Sequence, residues 1–214
     1  MDYIKPIDPD LKTCFEELWN EIVWLHVKWI NFRQVYAVSE EEIKLLNKVA
    51  PEFFHIVQEL FLTDVVLTIS RLTDPKKTRN RENLTFERLV HEIDAQKHSG
   101  LFTECLNDLK TINHKCKPFR ERRNRIIAHT DLLTAVDVDS NPVPGFSRLM
   151  VEEALEAIRQ LMNRIQKYFA DGQTGYEHYF PRGGGETLIR LLQDVVTYWE
   201  NETEYIRVPK PGKP

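Results

Sequence analysis

Cysteine is scarce in this 214-residue chain, and the three present, Cys14, Cys105 and Cys116, form no C-x-x-C pair. An odd count at these spacings excludes a disulfide framework and a cysteine zinc site, and leaves buried, reduced thiols as the expectation. Cys105 and Cys116 are eleven residues apart, three helical turns, so both fit one core strip. Six of the seven histidines, His26, His55, His91, His98, His114 and His178, show no H-E-x-x-H or related metal spacing. Asp137, Asp139 and Asn141 imitate the start of a calcium loop, but Pro142 replaces its turn glycine and Arg148 its closing glutamate, which excludes that ion. The run Gly183-Gly184-Gly185 lacks the Lys-Ser/Thr ending of a phosphate loop and reads as a hinge or cap. With no Gly-x-Ser-x-Gly elbow and no dinucleotide fingerprint either, neither a metal nor a cofactor is expected.

An excess of positive charge is also missing. Lys and Arg number 29 against 33 Asp and Glu, a net charge of −4, which argues against a constitutive, non-specific nucleic-acid binder. Long apolar runs are absent too. The most apolar stretch, Phe53 to Ile69, is broken by His55, Gln58, Glu59 and Asp64, so no membrane span is expected. Residues 1–10 carry Asp2, Lys5, Asp8, Asp10 and two prolines without an apolar core, unlike a signal peptide, and a cytoplasmic location is expected. A hydrophobic share of 42% and a charged share of 29% describe an ordinary globular chain. That length suits one domain burying about 70% of its unfolded surface.

What is present is helical periodicity. Leu11, Phe15, Leu18, Ile22, Leu25, Trp29 and Phe32 make one stripe of a helix from about Asp10 to Tyr36. Trp19, Val23, Trp24, Val27 and Ile30 widen its apolar surface nearly all round, which suits a central core helix or one that also meets a second copy. Ser39 and Glu42 form a capping box for a helix reaching Ala50, and Pro51 permits a restart into Glu52–Leu72. Arg71 and Asp74, three apart, are expected to make a local ion pair. Residues 74–83 form a polar loop, then helices are predicted at Thr85–Lys97, broken by Gly100, and at Leu101–Asp131. A loop or small hairpin at 134–147, a helix Met150–Phe169 stopped by Gly172, and a final helix Glu186–Glu200 complete an all-α organisation. The expected domain plan is a tail at 1–9, a single helical domain at 10–202 and a disordered tail at 203–214.

The most informative segment is Arg123-Asn124-Arg125-Ile126-Ile127-Ala128-His129. Phe119, Arg123, Ile126, Ile127 and Thr130 share one helical face, so Arg123 lies in an apolar stripe and needs carboxylates, carbonyls or an anion to satisfy its guanidinium. Arg123 and His129 are six apart, roughly 120° around an ideal helix, and flank one groove edge. A fixed cation beside a group that titrates near neutrality can cut an RNA phosphodiester without a metal. From Lys115 to Arg125 six cations, among them Arg120, Arg122 and Arg125, face only Glu121. That patch reads either as a solvated helix face or as a surface tracking phosphates. Asp131 is not expected to orient His129, since neighbours two apart do not face one another on a helix.

The segment resembles the signature of the HEPN superfamily: Arg, a polar residue, about four further residues, then His. Phe53-Phe54 opening a helix that ends Ile69-Ser70-Arg71-Leu72-Thr73-Asp74-Pro75, followed by Asn83-Leu84-Thr85, and the ending Ala128-His129-Thr130-Asp131 are similar to the abortive-infection AbiU type. The likeness covers roughly residues 10–200. It implies a HEPN-type helical bundle with long antiparallel helices and extra C-terminal helices. It further implies RNA cleavage at a cleft shared by two protomers of a homodimer, in phage defence or in a toxin–antitoxin pair with an antitoxin protein. By that resemblance His129 is the general base or acid at the ribose 2′-hydroxyl, Arg123 stabilises the phosphorane-like transition state and Asn124 positions the groups. Some members carry a Tyr two residues after the His, modified by a partner nucleotidyltransferase; here that position is Asp131. The rival expectation is a non-catalytic module binding RNA or a protein through the same cleft.

Overall fold

The computed structural model describes residues 2–127, 145–178 and 183–201. Among them are eight α-helices and one two-stranded hairpin, so the fold class is all-α. The chain divides into two compact units, Met1–Lys28 with Leu62–Tyr179, and Trp29–Phe61 with Phe180–Pro214.

In the first unit, α1 (Pro9–Tyr36) buries Leu11, Phe15, Leu18, Ile22 and Leu25, the stripe expected from its periodicity. The unit's part of α3 (Pro51–Leu72) buries Val65, Val66, Ile69 and Leu72. By length and composition alone α3 is apolar enough to cross a membrane, at a mean hydropathy of 1.4. A core helix meets the same criterion, and Asp64 within it pairs with Lys28 at 2.7 Å. The segment expected as a plain polar loop instead contains a hairpin, β1 (Lys77–Thr78) against β2 (Arg81–Glu82), turned by Arg79 at φ 55°. Helix α4 (Phe86–His91) starts where Thr85 Oγ1 accepts from the Arg88 amide at 3.2 Å. It ends well before Lys97, because Asp94 Oδ1 accepts from the amides of Gln96 and Lys97 and draws the backbone into a turn.

Gly100 does not break a helix. It lies in the first turn of α5 (Ser99–Lys115), where nothing crowds it. The long helix expected from Leu101 to Asp131 is interrupted at Cys116, after which α6 (Lys117–Arg122) and a π turn (Arg123–Ile127) follow. Pro118 explains the interruption: it has no amide hydrogen and its ring clashes with the carbonyl of the preceding turn, yet it suits the first turn of a new helix. Helix α5 packs along α7 (Arg148–Ala170), and Arg164 of α7 forks onto Asp108 at 2.5 and 3.2 Å and onto Glu104 at 2.7 Å. Ser147 caps α7 through the Met150 amide. Asp171 ends it in the left-handed conformation, φ 47°, one residue before the glycine expected there; a short polar side chain tolerates that region. Cys14, Cys105 and Cys116 are all free and buried.

In the second unit, Ser39 caps α2 (Glu40–Val49) by accepting from the Glu42 amide at 3.2 Å, one half of the expected box. Val35, Leu46, Phe54 and Ile189 form its buried cluster. Helix α8 (Gly185–Asn201) docks by its first residue: a Cβ on Gly185 would stand 2.7 Å from Val35 Cγ2 and 2.9 Å from the Asn31 carbonyl oxygen. This is the close approach behind the glycine run, and the Gly185 amide donates to Asn31 Oδ1 at 2.9 Å.

His26 of the first unit is 2% exposed. Its Nδ1 lies 2.8 Å from the Ile22 carbonyl, which only accepts, so Nδ1 carries the proton and Nε2 faces the Arg159 guanidinium at 3.3 Å. Burial pushes this imidazole from 6.5 down to about 4; the Ile22 carbonyl opposes the shift and the Arg159 charge adds to it. The unfolded chain therefore binds the proton first, and stability that is full above pH 6.5 falls as the pH drops toward 4. The loss amounts to about 3 kcal/mol. Denaturant unfolding across pH 4–7 is expected to show this slope, and His26→Gln should flatten it.

Candidate functional site

The motif segment begins where α6 gives way to the π turn. Phe119, fully buried, anchors it and meets the Phe146 ring at 5.6 Å between centroids. Four residues on, Arg123 emerges one-fifth exposed and turns its guanidinium to the end of α3, where Nη1 donates to Asp74 Oδ2 at 2.5 Å. Its Nε and Nη2 both donate to Asn124 Oδ1, at 3.0 and 2.9 Å. The charge placed in an apolar stripe thus finds its carboxylate, and its own neighbour fixes the plane of the guanidinium. Among the described residues these contacts use three of the five N–H bonds of the Arg123 guanidinium.

Asp74 is the residue that sequence reasoning misassigned. Expected to pair with Arg71, it pairs with Arg123, and Arg71 reaches Glu21 of α1 at 2.5 Å instead. On the last turn of a helix two side chains three apart can meet, but each here has a better-placed partner on another element. The signal available was the Arg123 charge itself, which required a carboxylate from elsewhere. Glu21, Arg71, Asp74, Glu82 and Asn83 line a cavity of about 220 Å³ with Leu72 and Leu84. A larger cleft of about 860 Å³, flanked by Glu104, Arg159, Asn163, Arg164 and Lys167, shares no residue with the motif segment.

The other cations of the segment are engaged differently. Arg120 Nη2 donates to the Asn113 carbonyl at 2.9 Å, closing the end of α5, and its Nη1 is buried without a partner. The Arg122 guanidinium lies 5.4 Å from the centre of the Phe146 ring. Lys115 pairs with Glu153 at 3.3 Å and Lys117 with Glu121 at 3.6 Å. Arg125 is half-buried and also has an interaction partner. Three of the six cations, Lys115, Lys117 and Arg123, are thus paired with a carboxylate. His129 and Asp131, and with them the expected angle between Arg123 and His129, lie outside the described residues. Among the described residues no three His, Cys, Asp or Glu side chains gather as a metal site.

An all-α chain in which a motif arginine and its polar neighbour are held together in a π turn, a feature frequent at functional sites, has the makings of a HEPN domain. A family model described as AbiU2, of the HEPN group, matches residues 8–188, and the chain belongs to this family, whose HEPN domains are related to abortive infection. Comparison with curated proteins and with solved structures returned no match.

Removing one partner of the Arg123–Asp74 pair strands a partly buried charge. Arg123→Ala is expected to cost about 1–3 kcal/mol in denaturant unfolding. In a double-mutant cycle with Asp74→Ala, the two changes should couple by about 1 kcal/mol or more. Additive effects would show that the pair adds nothing to the fold.

Proposed function

We propose that this chain is a metal-independent endoribonuclease of a phage-defence or toxin–antitoxin system, cutting RNA with Arg123, Asn124 and His129. The observation that carries the proposal is the geometry at Arg123. A guanidinium held by Asp74 and Asn124 is fixed in direction, and its two N–H bonds without an acceptor among the described residues suit phosphate oxygens. Asp74 offsets part of the charge, so the site relies on the direction of those N–H bonds more than on net charge. In this mechanism His129 takes the proton of the substrate 2′-hydroxyl, which attacks its own phosphorus, and the 5′-oxygen leaves with a proton. The products are a 2′,3′-cyclic phosphate and a 5′-hydroxyl. The reading also places two protomers around one cleft, RNA and an antitoxin protein as partners, and Arg120, Arg122 and Arg125 beside the RNA. Of these, Arg122, stacked at Phe146, is better placed than Arg120, whose guanidinium holds the Asn113 carbonyl.

A second reading has its own support. Lys115, Lys117 and Arg123 are each paired with a carboxylate, which weakens the field available to a polyanion and, for a non-catalytic module binding RNA or a protein, favours the protein. Purified protein with mixed RNAs in EDTA separates the two. Cleavage is expected, with cyclic-phosphate ends, no cutting at a 2′-deoxy position, and no activity in His129→Ala. Retained RNA without cleavage would leave the binding module ahead, and cleavage only with added Mg²⁺ would overturn the metal-independent mechanism.

A further inference from the structure

A cavity of about 220 Å³ opens beside the Arg123 clamp. Asp74 lines it and accepts from Arg123 Nη1, so cavity and guanidinium share one side chain. Its size falls below the ~300–1,000 Å³ of pockets that enclose drug-sized ligands, which suits a single ring system. Its charge is balanced. Among the described residues, Glu21 is paired with Arg71, Asp74 with Arg123 and Glu82 with Arg88, so each carboxylate lining the cavity has a cation of its own. A cationic peptide or a free anion gains little there, and a neutral ligand with hydrogen-bonding edges is favoured. Leu72 and Leu84, the latter 36% exposed, supply the apolar contact that a flat ring needs. An unstacked RNA base has these properties.

We infer that this cavity holds a guanine base next to the phosphate gripped by Arg123, and so selects where RNA is cut. Arg71 meets Glu21 through Nη2 and Oε2 at 2.5 Å. An arginine has more N–H donors, and a carboxylate more lone pairs, than this contact uses, so the pair presents a donor and an acceptor side by side. Asn83 adds an acceptor. Both hydrogens of its amide are spent, on the Pro75 carbonyl and on Thr78 Oγ1 at 2.8 Å each, so Oδ1 is what it offers a ligand. On its Watson–Crick edge guanine carries two adjacent donor groups, N1–H and the N2 amino group, beside the acceptor O6. Adenine and cytosine carry one donor group there and uracil a single N–H, so each of these leaves an acceptor unmet. With guanine, the donors meet Glu21 and Asn83 Oδ1 while O6 accepts from Arg71. The choice of cut site rests on the ribonuclease reading; the binding of guanine does not.

Isothermal titration of the full chain in EDTA with the 5′-monophosphates of guanosine, inosine and adenosine reads the cavity without cleavage. The guanosine nucleotide is expected to bind about tenfold more tightly than the adenosine one, with the inosine nucleotide, which lacks the amino group, between them. Glu21→Gln puts amide hydrogens opposite the guanine donors, and the guanosine-over-adenosine ratio is expected to fall about tenfold. Should that variant unfold, Arg71→Gln replaces it with the same expected fall, since the Arg71 side chain is 60% exposed. Equal binding of the guanosine and adenosine nucleotides, no binding of the guanosine nucleotide at millimolar concentration, or a ratio that survives in a folded variant overturns the inference. On mixed RNAs guanine should border the cuts. Cutting without that preference overturns the inference and leaves the ribonuclease reading in place. Selective guanosine binding with no RNA cleavage does the reverse: it supports the guanine cavity and counts against the ribonuclease.

Discussion

A charged group on an apolar helix face has to be answered, and in this chain the answer to Arg123 is Asp74. That ion pair joins the turn after α3 to the π turn that follows α6, two segments 49 residues apart, with both side chains only 20–27% exposed. Partial burial removes much of the solvent screening that makes surface pairs weak, but it also imposes a desolvation cost. The consequence is positional more than energetic. With Asn124 gripping the other edge of the guanidinium, the direction in which Arg123 can meet a ligand is set by the fold before any ligand arrives. The local geometry thus sets Arg123 and Asn124, the first two residues of the expected motif, against one another.

Much of the helical plan was legible because buried stripes have a period. Leu11, Phe15, Leu18 and Ile22 predict α1, and Ser39 predicts the start of α2. The misses share a cause: local chemistry overriding an uninterrupted stripe. Leu109, Ile112, Cys116 and Phe119 are all buried, so the periodicity continues through a point where Pro118 stops the hydrogen-bond ladder. Asp94 likewise ends a segment that its composition would have carried further. Two of the three boundaries between the units, at residues 28/29 and 61/62, carry no compositional mark, since they fall inside the continuous helices α1 and α3.

At the candidate site the sequence marked candidate side chains but not the groups that hold them. Spacing finds partners three or four residues away; it does not find Asp74 for Arg123, Glu21 for Arg71 or the Asn113 carbonyl for Arg120. Counting cations from Lys115 to Arg125 also overstated the local field, because Glu153, Glu121 and Asp74 each neutralise one of them. On the proposed ribonuclease reading, the site depends on oriented donors, and its affinity for RNA is expected to be modest for the number of arginines nearby.

The central claim is that Asp74 positions Arg123 for the reaction. The direct measurement is the single-turnover cleavage rate of Asp74→Asn set beside its RNA affinity. The amide keeps an acceptor for the guanidinium but loses the charge that holds it. The account predicts a rate reduced roughly tenfold with RNA bound equally or more tightly, since a negative charge near the phosphate is gone. A wild-type rate in that variant would contradict it.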